Sequence, residues 1–161
     1  MPTIIKDKTI TESPFELVDA ENVDIRANNV LLPLAFFLEN SAVIKGRNDI
    51  GVWIDAGEDV EDIEAVVNQL PIIALNFPAF GDGRAYSSAN ILRRKFGYKG
   101  EIRAVGDVRR DQLEQMLSCG INAFDMAEGQ DLEQSLSGLK HFSHNYQGTI
   151  DRPEPLFRHR K

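Results

Sequence analysis

The sequence contains a single cysteine, Cys119, and this scarcity excludes several kinds of site. One thiol cannot form an intrachain disulfide, a CxxC redox pair, a four-cysteine zinc site or the ligand set of an iron–sulfur cluster. Cys119 follows Leu117 at the end of a predicted helix, where a small buried apolar residue is a better interpretation than a reactive thiol. We therefore expect no redox centre and no cofactor.

Histidine is also scarce, and the three histidines are His141, His144 and His159. The pair His141 and His144 has the spacing that brings two side chains to one helix face. No carboxylate or cysteine completes a ligand set there, so a solvated helix end is favoured over a metal site. The sequence predicts no metal.

Basic residues are fewer than acidic ones, with 18 Lys and Arg against 25 Asp and Glu and a net charge of −7. A dedicated nucleic-acid binder needs a basic surface to displace counterions from phosphates. Nucleic acid is therefore not an expected partner.

Long apolar runs are missing too. The longest, VLLPLAFFL at 30–38, is far shorter than the roughly 20 residues that span a bilayer. The opening MPTIIKDKTI carries charges where a signal peptide would have an apolar core. We expect a soluble, cytoplasmic protein with no membrane partner.

The composition is that of a globular domain. Of 161 residues, 42% are hydrophobic and 27% charged, which argues against disorder over most of the chain. The length is that of one domain. We predict a single α/β domain over residues 1–142 and a C-terminal tail over 143–161, where two prolines and a basic end occur.

From residue 51 onward, strand-like runs alternate with helix-like ones. Four strands are predicted at 51–54, 72–77, 102–105 and 122–126, and each is followed by a segment with helical spacing of apolar residues; the last helix runs over 132–142. Four consecutive βα units imply parallel strands in a half-barrel-like or open sheet. Before them, we predict one short strand at 15–18 and a helix at 28–41, an N-terminal helical segment that contains Pro33.

Candidate site residues come from the loops after the strands, because ligands of parallel α/β folds lie at the carboxyl ends of strands. These positions are Asp55 and Gly57, 76–84, 106–111 and Asp125. Two of the loops combine glycine, aspartate and arginine, a set whose N–H groups and guanidinium forks favour an oxyanion. The anion-binding candidates are Asp82, Gly83, Arg84, Tyr86, Ser87, Gly106, Asp107, Arg110 and Asp111.

The glycine, aspartate and arginine pattern of these two loops also has a purely structural interpretation. Asp82 and Asp107 are good N-caps, and glycine is common in short βα loops, so the same pattern is explained by turn chemistry alone. The arginines are harder to explain in that way, because cations at a helix N-terminus oppose the helix dipole. Ser87 and Ser88 have no histidine nearby in the sequence and are poor nucleophile candidates, so the catalytic residues stay unknown.

Residues 77–124 resemble the signature of an uncharacterised proteobacterial family, and the resemblance extends over most of 29–127. Its members are described as oxidoreductases involved in sulfite reduction, and their genes lie beside that of the sulfite reductase haemoprotein. Arg109 departs from the pattern, which favours Arg84 and Arg110 as functional residues. The matching elements are Phe77-Pro78, Asp82-Gly83-Arg84-x-Tyr86-Ser87, Gly97-Tyr98-x-Gly100-Glu101, 103–108, 110–113 and Cys119-Gly120.

This resemblance implies an accessory protein of assimilatory sulfite reduction, which binds a small oxyanion or the reductase at the carboxyl ends of the strands. One alternative is a small enzyme acting on an anionic metabolite, in which Asp82 or Asp107 is the acid or base and the arginines hold the anion. Another is a structural interaction module. Unpaired edges of a four-stranded sheet favour a homodimer or a complex with sulfite reductase. The tail offers Leu156 and Phe157 as an apolar anchor.

Overall fold

A computed structural model describes residues 1–140, which form an open, curled eight-stranded sheet, a half-barrel, with helices packed on it. The predicted fold class is confirmed. The strands are β1 Thr3–Lys6, β2 Thr9–Glu12, β3 Glu16–Leu17, β4 Val30–Pro33, β5 Ile50–Ile54, β6 Ile72–Phe77, β7 Glu101–Gly106 and β8 Ala123–Phe124. The α-helices are α1 Leu34–Glu39, α2 Ser41–Ile44, α3 Arg84–Asn90, α4 Leu113–Ser118 and α5 Leu132–Lys140.

The strand order is β2-β1-β8-β7-β6-β5-β4-β3, and the six strands from β3 to β8 are parallel. The pair β6 and β7 tests the prediction of a parallel sheet most directly. These strands run parallel, with Ile72 opposite Glu101 and Phe77 opposite Gly106. β1 lies antiparallel to β8 and forms a hairpin with β2. The four predicted strands are therefore the centre of the sheet, and the N-terminal segment adds strands to both sides of them.

The two edges of the sheet are joined by a short link, Ser13 to Phe15, between β2 and β3. Four residue steps from Glu12 to Glu16 span at most about 14 Å, so the sheet must curl until its edges face each other. The unpaired edges expected for a four-stranded sheet are thus covered by the chain's own first strands. The face toward this link is the concave one, because Arg103 in the middle of the sheet reaches Ser13 and Phe15. We call it the inner face.

The helices cover the opposite face, where the main core lies. Side chains of β4 to β8 on this face, such as Leu32, Ile73 and Ile102, pack against apolar residues of the helices, such as Ala89 and Met116. The inner face holds a smaller apolar cluster of Leu31, Ile72, Ala74 and Val105, with Phe15 and Trp53 against it.

The helix predicted for 28–41 is wrong in its first half, where the chain forms β4 and only then α1. All four residues of β4 are buried, since the strand is covered on both faces. Such a strand is a continuous apolar run, and its periodicity does not differ from that of a buried helix. Pro33 ends the strand, and the helix begins at Leu34.

The segment after β5 forms two 3₁₀ turns, Val60–Ile63 and Val67–Gln69, in place of the expected helix. The apolar residues Val60, Ile63, Val67 and Leu70 are buried as predicted. They come in two pairs spaced three residues apart, and a 3₁₀ turn brings residues at this spacing to one side.

α3 is shorter than its pattern, and α5 reaches the end of the described residues. α3 continues into a π-helical turn, Ile91–Lys95, and ends before Gly97, whose φ is +65°. The predicted helix over 132–142 is α5 as far as Lys140. The tail, its anchor Leu156 and Phe157, and the three histidines lie outside the described residues. Within residues 1–140, no helix is long and apolar enough to cross a membrane.

Candidate functional site

The loops after β5, β6, β7 and β8 form one polar edge of the sheet, which we call the carboxyl rim; it comprises residues 55–59, 78–84, 107–111 and Asp125, together with Asn76 and Gly106 at the strand ends. Side chains alternate along a strand with a period of two. Asp55 therefore shares the inner face with Trp53, and Asp125 shares it with Ala123 and Arg103. The Asn76 amide donates to an Asp55 carboxylate oxygen at 2.8 Å, which links the first two loops.

Asp82 and Arg84 form an ion pair within the β6–α3 loop. The guanidinium donates from Nε and Nη2 to the carboxylate, with Nη2 2.6 Å from Oδ2, and the Arg84 amide donates to Oδ1 at 3.1 Å. The Arg84 side chain, helped by its backbone N–H, lowers the pKa of Asp82 to about 2. Asp82 thus accepts hydrogen bonds from both the side chain and the backbone of Arg84, while Gly83 occupies the N-cap of α3.

The Arg84 guanidinium also extends toward the neighbouring loop. Its Nη1 atom lies 3.7 Å from the place where a Cβ atom would stand on Gly57. Asp55, on that loop, helps to raise the pKa of Arg84, although Asp82 is the larger cause. The side chain of Arg84 is 62% exposed, so this guanidinium remains accessible at the rim.

A second ion pair, between Asp107 and Arg109, lies in the β7–α4 loop. Arg109 Nε donates to Asp107 at 2.9 Å, and its guanidinium carbon lies 6.0 Å from the centre of the Phe80 ring. Gln112 donates to the Phe80 carbonyl at 3.2 Å. These contacts bring the two predicted loops together at Phe80, which lies in the predicted segment 76–84 but is not one of the anion-binding candidates.

Arg110 and Asp111 are placed differently from each other. Arg110 turns toward α5, where Nη1 donates to Gln134 at 3.4 Å and the backbone N–H donates to Gln130. Asp111 is exposed at the first turn after β7. In the part of the chain described, no hydrogen bond or ion pair joins Arg84 to either Arg109 or Arg110.

Gly106 has a structural reason to be glycine. Its φ is +94°, and a Cβ atom would stand 2.5 Å from both the Asn76 side-chain oxygen and the Phe77 carbonyl oxygen. The close approach lets the Asp107 N–H donate to the Phe77 carbonyl at 2.7 Å. Gly106 therefore shapes the rim through its backbone.

Tyr86 and Ser87 lie in the first turn of α3 and differ in exposure. Tyr86 is half-buried with its ring edge against Phe77, 5.2 Å between centroids, and burial raises the pKa of its hydroxyl. Ser87 is exposed to solvent. Cys119 is half-buried at the end of α4 and packs against the main core. Residues 1–140 contain no cluster of three or more His, Cys, Asp or Glu side chains suited to a metal.

Asp125 is the acidic group of the rim, among the described residues, whose pKa is raised. It is half-buried, and burial raises the pKa of its carboxyl against the opposing effect of Arg103. Its position directly after the apolar run of β8 was the sequence signal for it, as it was for Asp55 after β5. Neither residue carries the glycine and arginine neighbours that drew attention to the other loops.

Comparison with known proteins gives one match. A search of the curated proteins found no similar protein, and a search of the solved structures found no similar structure. Residues 51–157 match the family model described as "Bacterial protein of unknown function (DUF934)". The matched segment includes β5 to β8 and all four rim loops. Since the match covers more than half of the chain, the protein belongs to this bacterial family of unknown function.

Proposed function

We propose that the protein is an accessory protein of assimilatory sulfite reduction that contacts the sulfite reductase through its carboxyl rim. The link to sulfite reduction is supported by the resemblance of residues 77–124 to a family encoded beside the reductase. The proposed role is one of binding, and the single cysteine excludes an intrachain dithiol–disulfide pair as an electron carrier.

The observation that carries the contact is the pairing of Phe80 with Arg109. Phe80 is 56% exposed, one of the few large apolar side chains that residues 1–140 present to solvent. The guanidinium of Arg109 lies near its ring, and Arg84 stands on the same loop as Phe80. Exposed aromatic and arginine side chains are the residues that most often dominate protein–protein binding energy. A partner surface with an apolar pocket bordered by carboxylates would match this set.

The pairing of the arginines favours a protein partner over a small anion as the main ligand. Arg84 and Arg109 each share their charge with an aspartate of the same loop. Both guanidinium groups are more than half exposed, and ion pairs in water are weak. A small oxyanion would compete with Asp82 and with solvent, whereas a protein surface removes water from the whole rim.

A second candidate is a small enzyme acting on an anionic metabolite, and Asp125 is the observation that favours it. A half-buried carboxyl group with a raised pKa is suited to proton transfer. Arg84 Nη1, which lies beside Gly57, would hold the anionic group. In this proposal the oxyanion binds beside Arg84, and the metabolite extends across the rim from the loop after β6 to Asp125 after β8.

Binding of purified sulfite reductase to the immobilised protein tests the first proposal. Phe80→Ser and Arg109→Glu should each weaken binding at least about tenfold, since both alter the centre of the contact. Val43→Ser is the matched control, because Val43 is also an exposed apolar residue, at 71%, but lies on α2 far from the rim. No binding by the unmodified protein, or equal losses for all three variants, would contradict the proposal.

Thermal unfolding with sulfite, sulfate and phosphate tests the second candidate. Selective stabilisation by one anion that disappears in Arg84→Ala would favour it, since a ligand of the native state raises Tm. An absorbance spectrum of the purified protein with flavin or haem bands would contradict the binding role without electron transfer. The homodimer stays a prediction, which light scattering checks.

A further inference from the structure

A cavity of about 310 Å³ opens at the opposite end of the half-barrel from the carboxyl rim. It lies at the amino ends of β6 and β7, against the link that joins the sheet edges. Its apolar walls include Ile4, Ile72 and Phe15, and its polar lining includes Ser13 and Arg103 together with other charged side chains. The volume is close to the lower limit of about 300 Å³ for ligand sites, so the space suits a small molecule.

The buried side chains of the cavity offer hydrogen-bond donors that lack acceptors. Ser13 is 4% exposed, and its Oγ accepts from Arg103 Nη2 at 2.6 Å and from the Phe15 N–H at 3.2 Å. Its own O–H finds no acceptor among residues 1–140. Arg103 is 2% exposed, and its Nη1 group has a single long contact, 3.4 Å to the Phe15 carbonyl. Buried donors are nearly always paired in native proteins, by protein or by water, so these donors are available to an acceptor that enters the cavity.

The positive and negative side chains around the cavity balance each other. A ligand would therefore be recognised by the hydrogen-bond donors of the cavity and not by a net charge. Lys6 and Arg103 are cationic, Glu101 and Glu12 are anionic, and all four line the space. Glu101 is already engaged on both oxygens, with Lys6 at 2.8 Å from Oε2 and Arg103 at 2.7 Å from Oε1. Glu12 is exposed at the mouth. The hydroxyl of Ser13 and the remaining N–H groups of Arg103 and Lys6 therefore point to a ligand that only accepts.

We propose that this cavity binds a small monocarboxylate with a short apolar or aromatic body. An ionised carboxylate has two acceptor oxygens and no donor, so it complements the Ser13 hydroxyl and the Arg103 guanidinium. The apolar body would lie against Ile4, Ile72 and Phe15.

The test uses acetate, butyrate and benzoate as probes, with benzamide as the neutral counterpart of benzoate and sodium chloride at equal ionic strength. Methyl NMR spectra of the unmodified protein should show saturable shifts at Ile4 and Ile72 with butyrate or benzoate. Benzamide should bind at least about tenfold more weakly than benzoate, as expected when a charge-assisted hydrogen bond is lost. If none of the three carboxylates shifts these methyl signals, the proposal is wrong.

A cavity-filling variant separates this site from other surfaces. Ile72→Phe places a bulkier, aromatic side chain in the cavity and should weaken benzoate binding at least about tenfold. Ile44→Phe makes the same change in a different cavity of about 410 Å³ near α2, and it should leave benzoate binding unchanged. Arg84→Ala should also leave it unchanged, which distinguishes this site from the rim. Equal binding by Ile72→Phe and the unmodified protein would overturn the assignment, and the NMR result decides if that variant does not fold.

Discussion

Gly106→Ala is the substitution that best tests the geometry of the carboxyl rim. At φ +94° an alanine is strained, and its Cβ would stand 2.5 Å from Asn76 Oδ1 and from the Phe77 carbonyl oxygen. The backbone carbonyl of Phe77 belongs to β6 and is held in the sheet beside β7. Relief therefore requires movement of a central strand and not the rotation of a flexible side chain.

The expected cost has two parts. A left-handed conformation costs a non-glycine residue about 1–2 kcal/mol, and overpacking of a well-packed region costs about 1–3 kcal/mol. The sum predicts a loss of roughly 2–5 kcal/mol in the free energy of unfolding. For a chain of this size, 1 kcal/mol corresponds to about 2–4 °C, so Tm should fall by roughly 4–20 °C. Urea denaturation and calorimetry measure both quantities.

Three other glycines allow the two costs to be separated. Gly97→Ala tests strain alone, since its φ is +65° and nothing lies within 4 Å of the new Cβ. Gly51→Ala tests the close approach alone, with the Cβ 2.7 Å from the Ile72 carbonyl oxygen, and Gly81→Ala carries neither cost. Gly106→Ala should be the most destabilised of the four. A loss within about 1 kcal/mol of that in Gly81→Ala would refute this reasoning.

Three further predictions concern buried polar groups. Glu101→Gln should cost about 3–5 kcal/mol in urea denaturation at pH 7, because Arg103 then stays buried without its carboxylate; a loss below about 1 kcal/mol would contradict the importance of this pair. Burial raises the pKa of Asp125 above its unfolded value, so its contribution to stability is lost as pH rises through the folded pKa. Asp125→Asn should therefore have the higher Tm at pH 7, and the difference should shrink toward pH 4; parallel curves of Tm against pH would argue against it. Tyr98→Phe removes a buried hydroxyl that donates to the Leu70 carbonyl at 2.9 Å and should cost about 1 kcal/mol, whereas unchanged stability would mean that this bond contributes nothing.

The parallel centre of the sheet could be predicted because its strands are short apolar runs separated by helical spacing. The 72–77 prediction matches β6 in both bounds. The N-terminal hairpin was missed because its two-residue turn, Asp7 and Lys8, has positive φ at both positions without the glycine that usually marks such a turn. Lys8 stands where the usual Asp-Gly turn would have its glycine.

The rim loops were predictable as positions, but the contacts within them were not. Arginine two residues after aspartate is compatible with several side-chain directions, and only the folded loop shows that Asp82 and Asp107 bind their own arginines. The polar lining of the cavity that contains Ser13 could not be predicted from the sequence. Glu101 and Arg103 share a strand face, yet their partner Ser13 is distant in the chain and meets them only when the sheet curls.

The pairing of β1 with β8 has a consequence for the order of events when the chain is made. Ile5 aligns with Phe124 and Lys6 with Ala123, so β1 can pair with β2 as soon as both are made but can pair with β8 only more than 100 residues later. Contacts between such distant segments slow folding. The βα units have neighbours close in sequence and can assemble earlier, while the hairpin keeps Ile4 and Ile5 exposed until β8 exists. During synthesis the apolar side chains of this hairpin are therefore a surface that a chaperone can bind.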